Sequence, residues 1–138
     1  MSDIKNIFDI SGRAMASQLV RLNTVASNLA NAGSVSKTKE EAFRSLKPVF
    51  ATTFADSFED NGVSTVDVIG IAQVTRDPER AFMPNHPSAD DDGYVYRAAV
   101  DENEEMIEMV EASRQYQNNV EVISTLRALM MRTINMGK

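Results

Sequence analysis

Apolar residues near the start of the chain recur at spacings that alternate between four and three, beginning at Phe8 and ending at Leu29. This is the repeat of a helix that presents one seam to a partner helix, and small residues, Gly12 and Ala26, stand at two positions of the seam. The pattern predicts a helix over residues 3–32, within an N-terminal helical segment 1–33. Its larger candidate packing residues are Met15, Leu19, Leu22 and Leu29.

The same alternation returns over residues 101–136 and predicts a second, longer helix. Asp101 followed by Glu104 resembles a capping box, and acidic residues gather in the first turn, where the helix dipole is positive. Late in this helix apolar residues lie on two faces, and one partner helix would cover only one of them. We therefore predict packing and assembly roles for Met106, Met109, Tyr116, Val120, Ile123, Leu126, Leu129, Met130 and Ile134.

The predicted helices are too long for a compact domain of 138 residues. At about 1.5 Å per residue the second helix would extend for about 54 Å and the first for about 45 Å. A globule of this chain length has a diameter of only about 37 Å. An elongated molecule is therefore predicted, in which residues 1–33 and 101–138 pair as one discontinuous coiled-coil core. The predicted fold class is mainly α, with a small antiparallel β-hairpin domain inserted between two long terminal helices.

The residues between the predicted helices show strand patterns instead. Residues 34–47 have no clear period and are predicted to be a polar linker, whereas residues 48–100 are predicted to form a small β-rich domain. A β-forming run over 48–58 is followed by Asp60-Asn61-Gly62, which favours a hairpin turn, and then by alternating apolar residues with Gly70 as a predicted bulge. Short strands near 80–83 and 94–97 are predicted to complete a small antiparallel sheet.

Charge is distributed unevenly along the chain and narrows the range of partners. Residues 51–111 carry fifteen acidic and three basic groups, whereas residues 1–50 and residues 112–138 each carry three more basic than acidic groups. Phosphate binding requires a dense basic face, so no nucleic-acid partner is predicted. Contacts between unlike regions of identical or related chains are favoured. Apolar runs are too short for membrane insertion or for a cleaved signal peptide, so neither is predicted.

The turn that contains His86-Pro87 and Asp90-Asp91-Asp92-Gly93 is the main candidate for chemistry. If Gly93 is the sixth residue of an EF-hand loop, Ala99 is the twelfth, where calcium binding requires a glutamate. A single histidine and the lack of cysteine argue against zinc, and no hydrolase or nucleotide-binding motif is present. We predict a structural turn, no cofactor and no enzymatic activity. A small helical calcium-binding interaction module remains the alternative hypothesis.

Two stretches of the sequence resemble a known family. VASNLANA at residues 25–32, which includes Ala26, Ser27, Asn28, Leu29, Ala30 and Asn31, resembles the N-terminal signature of bacterial flagellar axial proteins. NHPSADDDGYVY at 85–96, followed by EEMIEMVEASRQYQNNVEVIST at 104–125, closely resembles the proximal rod proteins within that family. Where the family usually has a Gly-Pro-Tyr-Arg-like stretch, this chain has EAFRS at 41–45.

This resemblance implies a structural, non-enzymatic subunit of the proximal rod, the drive shaft that transmits torque from the MS ring to the hook and filament. It implies export through the flagellar type III channel without a cleaved signal peptide, and a place in the periplasm-spanning rod of the basal body. The partners implied are other proximal and distal rod subunits, MS-ring and rod-base proteins, and copies of the chain itself.

Overall fold

The structure, a computed structural model, describes residues 2–54 and 64–137. Its two helices, α1 (Ser2–Asn31) and α2 (Glu102–Met136), begin and end close to the bounds that the apolar spacing predicts. Between them lie five strands: β1 (Val35–Ser36), β2 (Leu46–Phe54), β3 (Ser64–Gln73), β4 (Arg80–Phe82) and β5 (Tyr94–Arg97). Within the described residues, neither helix has a stretch long and apolar enough to span a membrane. The fold is thus two helices with small antiparallel sheets.

Strands β2 and β3 form the predicted antiparallel hairpin. The pairing register shifts between Val49 and Phe50, because Val49 lies opposite Gly70 while Phe50 lies opposite Val68. Ile69 is therefore an extra residue on β3, which confirms a bulge beside Gly70. The predicted turn at Asp60-Asn61-Gly62 lies outside the described residues.

The other three strands form a separate sheet, in the order β1-β5-β4. Val35 of β1 pairs with Arg97, and Phe82 of β4 pairs with Tyr94, so β5 is central and both neighbours are antiparallel to it. The expectation that the two late strands would extend the hairpin into one sheet was wrong. They pair instead with a strand from the segment that directly follows α1.

The segment 34–47 is more ordered than its predicted role as a polar linker. It contains β1 and the first residues of β2, and its backbone makes bonds with residues beyond β5: Ala98 N donates to Ser34 O at 3.0 Å and Ala99 N donates to Phe43 O at 2.8 Å. Ala42 and Ser45 are buried there. Long-range backbone pairing, which local periodicity does not record, orders this segment.

The hydrophobic core of the described residues is small. Its fully buried apolar side chains are Val25, Ala42, Val95, Ala99 and Ala112. They come from α1 (Val25), α2 (Ala112), β5 (Val95) and the segments that follow β1 (Ala42) and β5 (Ala99). With so few large side chains in this core, hydrogen bonds and ion pairs fix much of the relative placement of the elements.

The start of α2 is fixed by a helix cap and by ion pairs. The Asp101 carboxylate accepts bonds from the backbone N–H groups of Asn103 and Glu104, as expected of an N-cap. The Glu104 side chain extends away from the cap and pairs with Arg76 at 3.0 Å and with Lys47 at 3.4 Å. The bond from Arg76 lowers the pKa of Glu104, and Lys47 acts in the same direction.

The acidic turn before β5 is organised around Asp90. One carboxylate oxygen accepts the backbone N–H of Tyr94 at 2.7 Å and of Asp92 at 3.0 Å, and the other accepts a bond from Arg80 at 3.2 Å. The Arg80 guanidinium also lies 3.9 Å from the centre of the Tyr94 ring. Both oxygens of Asp90 are thus occupied by protein donors, which gives this carboxylate a structural role. Asp91 and Asp92 remain exposed beside it.

Gly93 and His86 complete the turn. Gly93 has a φ of 79°, and a Cβ atom at this position would lie 3.1 Å from atoms of both Phe82 and Pro84. A side chain here would therefore be strained as well as crowded. His86 Nδ1 accepts the backbone N–H of Ser88 at 3.1 Å, across Pro87. Among the described residues no group of three or more His, Cys, Asp or Glu side chains could hold a metal ion.

We expect Asp90 to titrate below its ordinary pKa of 3.8, because the backbone N–H of Tyr94 first, and Arg80 further, favour the ionised carboxylate. A depressed folded-state pKa means that this contribution to turn stability is present above a pH of about 4. It is lost as the pH falls through the folded-state pKa. The measurement is an NMR pH titration of the Asp90 carboxyl carbon and of the Tyr94 amide.

The control variant is Asp90→Asn, which keeps an oxygen acceptor for both N–H groups but cannot ionise. Its Tyr94 amide should lack the acid-dependent shift of the native chain. An Asp90 carboxyl that titrates at or above 3.8 would contradict the structural role given to this side chain.

Candidate assembly surface

Helix α1 contacts both the β2–β3 hairpin and α2. Ser17 Oγ donates to the carbonyl of Val66 at 3.2 Å, and Arg13 pairs with Asp67 at 3.2 Å. One turn further along α1, Arg21 pairs with Glu108 of α2, with a bond from Nε of 2.8 Å. Neighbouring parts of one face of α1 thus contact the hairpin and α2, and polar groups make the described hydrogen bonds to each.

Asn28, in the middle of the VASNLANA stretch, fixes α1 to the hairpin. Its Nδ2 donates to the carbonyl of Leu46 at 2.8 Å, and its Oδ1 accepts the Leu46 N–H at 2.8 Å. The side chain is fully buried, so it pairs with the start of β2 as a neighbouring strand would. No shorter or apolar side chain can make this pair of bonds, which gives the signature asparagine a physical reason.

The other signature residues play more local parts. Asn31 donates to the carbonyl of Ser27 within the last turns of the helix, at 2.8 Å. Leu29 is half-buried, whereas Ala26 and Ala30 are exposed. The signature therefore combines one buried bonding side chain with an outer face of small side chains.

The helices α1 and α2 run antiparallel, with the end of α1 near the start of α2. Near the end of α1, Asn28 contacts Leu46, and the neighbouring Lys47 Nζ lies 3.5 Å from a carboxylate oxygen of Glu105, near the start of α2. Two turns earlier in α1, Arg21 pairs with Glu108, which lies further along α2. Glu105 is only 1% exposed. A carboxylate buried here is tolerated because Lys47 is close and because it lies in the positive first turns of α2.

Met106 and Val120, which the apolar spacing predicts to pack, are not covered within the chain. Met106 is 59% exposed and Val120 is 42% exposed, whereas Glu105 and Ala112, seven residues apart, are buried. The face towards α1 is thus displaced by about one residue from the predicted one. Small Ala112 and ion-paired Glu105 occupy the positions where the elements approach most closely.

The remaining predicted packing residues fall into two groups. Half-buried side chains are Met15, Leu22, Leu29, Met109, Tyr116, Ile123, Leu126 and Met130. Exposed ones are Leu19, at 45%, Leu129, at 53%, and Ile134. Ile107, Val110, Val122, Met131 and Met136 of α2 are exposed as well. The described residues therefore leave large apolar side chains uncovered along much of α2, and at Ile7 and Leu19 of α1.

Sequence reasoning missed the polar contacts that place α1. Asn28, Arg21 and Glu105 stand outside the apolar repeat, so a search for apolar spacing passes over them. One signal was available: Glu105, Ala112 and Asn119 recur at intervals of seven, the period of a helix seam, although only one of them is apolar.

We expect Asn28→Ala to lower the free energy of unfolding by about 2–4 kcal/mol, because it leaves both the N–H and the C=O of Leu46 without their partner. Asn31→Ala is the matched control, since it removes a bond within the same helix, and it should cost less than about 1 kcal/mol. Urea unfolding of the purified variants, followed by circular dichroism, measures both. Equal losses in the two variants would contradict the role of Asn28.

Comparison with known proteins agrees with these features at both ends of the chain. Residues 8–33 match the family model described as "Flagella basal body rod protein", and residues 91–136 match "Flagellar basal body rod FlgEFG protein C-terminal". The matched ranges contain the signature with Asn28 and most of α2.

Full-length relatives give the more specific result. The chain is 40% identical over 136 residues to the flagellar basal-body rod protein FlgC of Yersinia enterocolitica, covering 96% of this chain and 97% of the relative. It is 40% identical over 134 residues, with the same coverage, to FlgC of Salmonella typhimurium strain LT2. It is 36% identical over 138 residues to FlgC of Aquifex aeolicus strain VF5, which covers both chains completely. This chain therefore belongs to the FlgC family of flagellar basal-body rod proteins.

Proposed function

We propose that this chain is a structural subunit of the bacterial flagellar basal-body rod, and specifically of its proximal part. The observation that carries the proposal is the set of exposed apolar side chains on α1 and α2, such as Leu19 and Leu129. Monomeric soluble proteins rarely leave large contiguous apolar patches exposed, so such helices are typical of a subunit that buries them against neighbours. The family membership supports the same function.

In the assembled rod the two helices pair as a coiled coil, and their uncovered faces pack against the helices of adjacent subunits. The neighbours are other proximal and distal rod subunits, MS-ring and rod-base proteins, and copies of this chain. The helical unit comprises residues 1–33 and 101–138. The β-rich unit includes 48–100 together with β1 and the first part of β2, because backbone bonds join residues 34–47 to it.

The proposed mechanism is mechanical, and no bond is made or broken. The rod crosses the periplasm, to which the subunit is exported without a cleaved signal peptide, and torque passes from the MS ring to the hook and filament through side-by-side helices. Within one subunit, the buried Asn28–Leu46 bonds and the Arg21–Glu108 ion pair resist rotation of α1 against its two neighbours. These contacts allow a load applied to α1 to reach both α2 and the hairpin.

Leu19→Asp tests this function. Leu19 is 45% exposed on α1, so a charged side chain stays solvated in the free chain, and its stability should change by no more than about 0.5 kcal/mol. The same charge would be buried between subunits in a rod, at a cost of several kcal/mol, and rod assembly and motility should be lost. The measurements are urea unfolding of the purified chain, swimming in soft agar, and electron microscopy of basal bodies.

Asn23→Asp is the matched control, because it adds the same charge one helical turn away at an exposed position that is already polar. It should leave motility close to that of the native chain. Normal rods that incorporate Leu19→Asp at native levels would contradict the proposal that this face of α1 packs against neighbours.

A further inference from the structure

Methionine side chains give this protein a reactivity towards oxidants that few of its other residues share. The sequence contains eight methionines and neither cysteine nor tryptophan. A methionine thioether is readily oxidised to the sulfoxide, and in many proteins cysteine thiolates compete for the same oxidants. In this chain the methionines are therefore the main targets of a two-electron oxidant, and their exposure decides which of them react first.

Two pairs of methionines on α2 differ sharply in exposure. Met106 is 59% exposed, whereas Met109, about one turn further along the helix, is half-buried. Met131 is 53% exposed, whereas the adjacent Met130 is half-buried. Each pair thus sets an accessible thioether side chain beside one that the chain partly covers, within the same helix. Met136, near the end of α2, is 87% exposed.

The exposed methionines of α2 lie among other uncovered apolar side chains. Ile107 and Val110 are exposed beside Met106, and Ile134 is exposed about one turn beyond Met131. The proposed rod function assigns such side chains to contacts between subunits. Methionine suits these contacts, because its flexible and polarisable side chain adapts to the shape of a neighbour.

We propose that Met106, Met131 and Met136 are oxidation sites through which a peroxide controls the assembly of this chain. In the reaction the sulfur lone pair attacks one oxygen of the peroxide. The O–O bond breaks as the S–O bond forms, and the proton of the transferred oxygen passes to the departing oxygen. With hydrogen peroxide the second product is water. The thioether loses two electrons and the peroxide gains them.

The sulfoxide changes the contact between subunits more than it changes the fold. In the free chain these side chains are exposed, so the new S–O dipole stays in water. Between subunits the same dipole would be buried, and burial of an acceptor without a donor opposes association. Oxidation therefore keeps free chains out of the polymer, whereas chains already assembled are protected by their neighbours. Enzymatic reduction of the sulfoxide reverses the block.

This inference deepens the proposed rod function and rests on it. In the first experiment the purified full-length chain is treated with hydrogen peroxide, and each methionine is followed by peptide mass spectrometry. Met106 should oxidise at least about fivefold faster than Met109, and Met131 faster than Met130 by a similar factor, because exposure limits the reaction. The urea midpoint should stay unchanged while only the exposed methionines have reacted. Equal rates within each pair would overturn the inference.

Glutamine variants test the effect on assembly without an oxidant. Glutamine is about as long as methionine and carries a polar oxygen, whereas leucine stays apolar and cannot be oxidised. In cells that lack the native subunit, a chain with Met106→Gln, Met131→Gln and Met136→Gln should reduce swimming in soft agar at least about tenfold. Leucine at the same three positions should preserve swimming. The two purified triple variants should share one urea midpoint, so that unfolding does not explain the loss.

Met83→Gln is the matched control, because Met83 is exposed directly after β4 and lies on neither helix. It should leave swimming unchanged. Loss of swimming in this variant equal to that of the glutamine triple variant would overturn the assignment to α2.

A third experiment needs no variant. Basal bodies purified from cells with the native chain are treated with peroxide, and Met106 and Met131 should react at least about tenfold more slowly than in the free chain. Oxidation in rods at the free-chain rate, or entry of the glutamine triple variant into rods at native levels, overturns the inference and leaves the rod function standing. A native chain that is absent from purified rods overturns both.

Discussion

The pair of hydrogen bonds between Asn28 and the backbone of Leu46 is the contact on which the placement of the other elements depends. It fixes both the depth and the rotation of α1 against the hairpin, because a buried amide with two short bonds tolerates little displacement. Once α1 has this rotation, Ser17 faces Val66, Arg13 faces Asp67, and Arg21 is turned towards α2. A turn of α1 by one residue, about 100°, would remove all of these partners together.

This rotation also decides which surface of α1 is left uncovered. Apart from Val25, the buried positions of the helix are small or polar, such as Ser11, Ser17 and Thr24, while Leu19 remains exposed. In a monomeric protein the larger apolar side chains would be expected inside. Here polar groups make many of the contacts within the subunit, and several large apolar side chains are left uncovered. The division is consistent with a chain whose final stability comes from assembly.

The sequence predicts the type and bounds of the helices, the hairpin with its bulge, and the Asp101 cap, because each leaves a local pattern. It does not separate the side of α2 that packs within the chain from the sides that stay uncovered, such as those of Met106 and Val120, since apolar spacing records every apolar surface of a helix. It predicts the two late strands, β4 and β5, but gives no account of β1 or of the separate sheet, whose pairing joins Val35 to Arg97 across more than sixty residues. Long-range backbone bonds have no periodic signal in either partner.

The distribution of burial along α2 has a consequence for the free chain. The buried residues of this helix, Glu105 and Ala112, both lie in its first third, while Val122, Leu129 and Met136 further along are exposed. Helices gain most of their stability from tertiary packing and little from propensity alone, so the far end of α2 is only weakly stabilised within one subunit. Neighbours that bind the folded helix shift this balance by mass action. We therefore expect the order of the C-terminal half to depend on assembly, in which Val122, Leu129 and Met136 would be covered by neighbouring subunits.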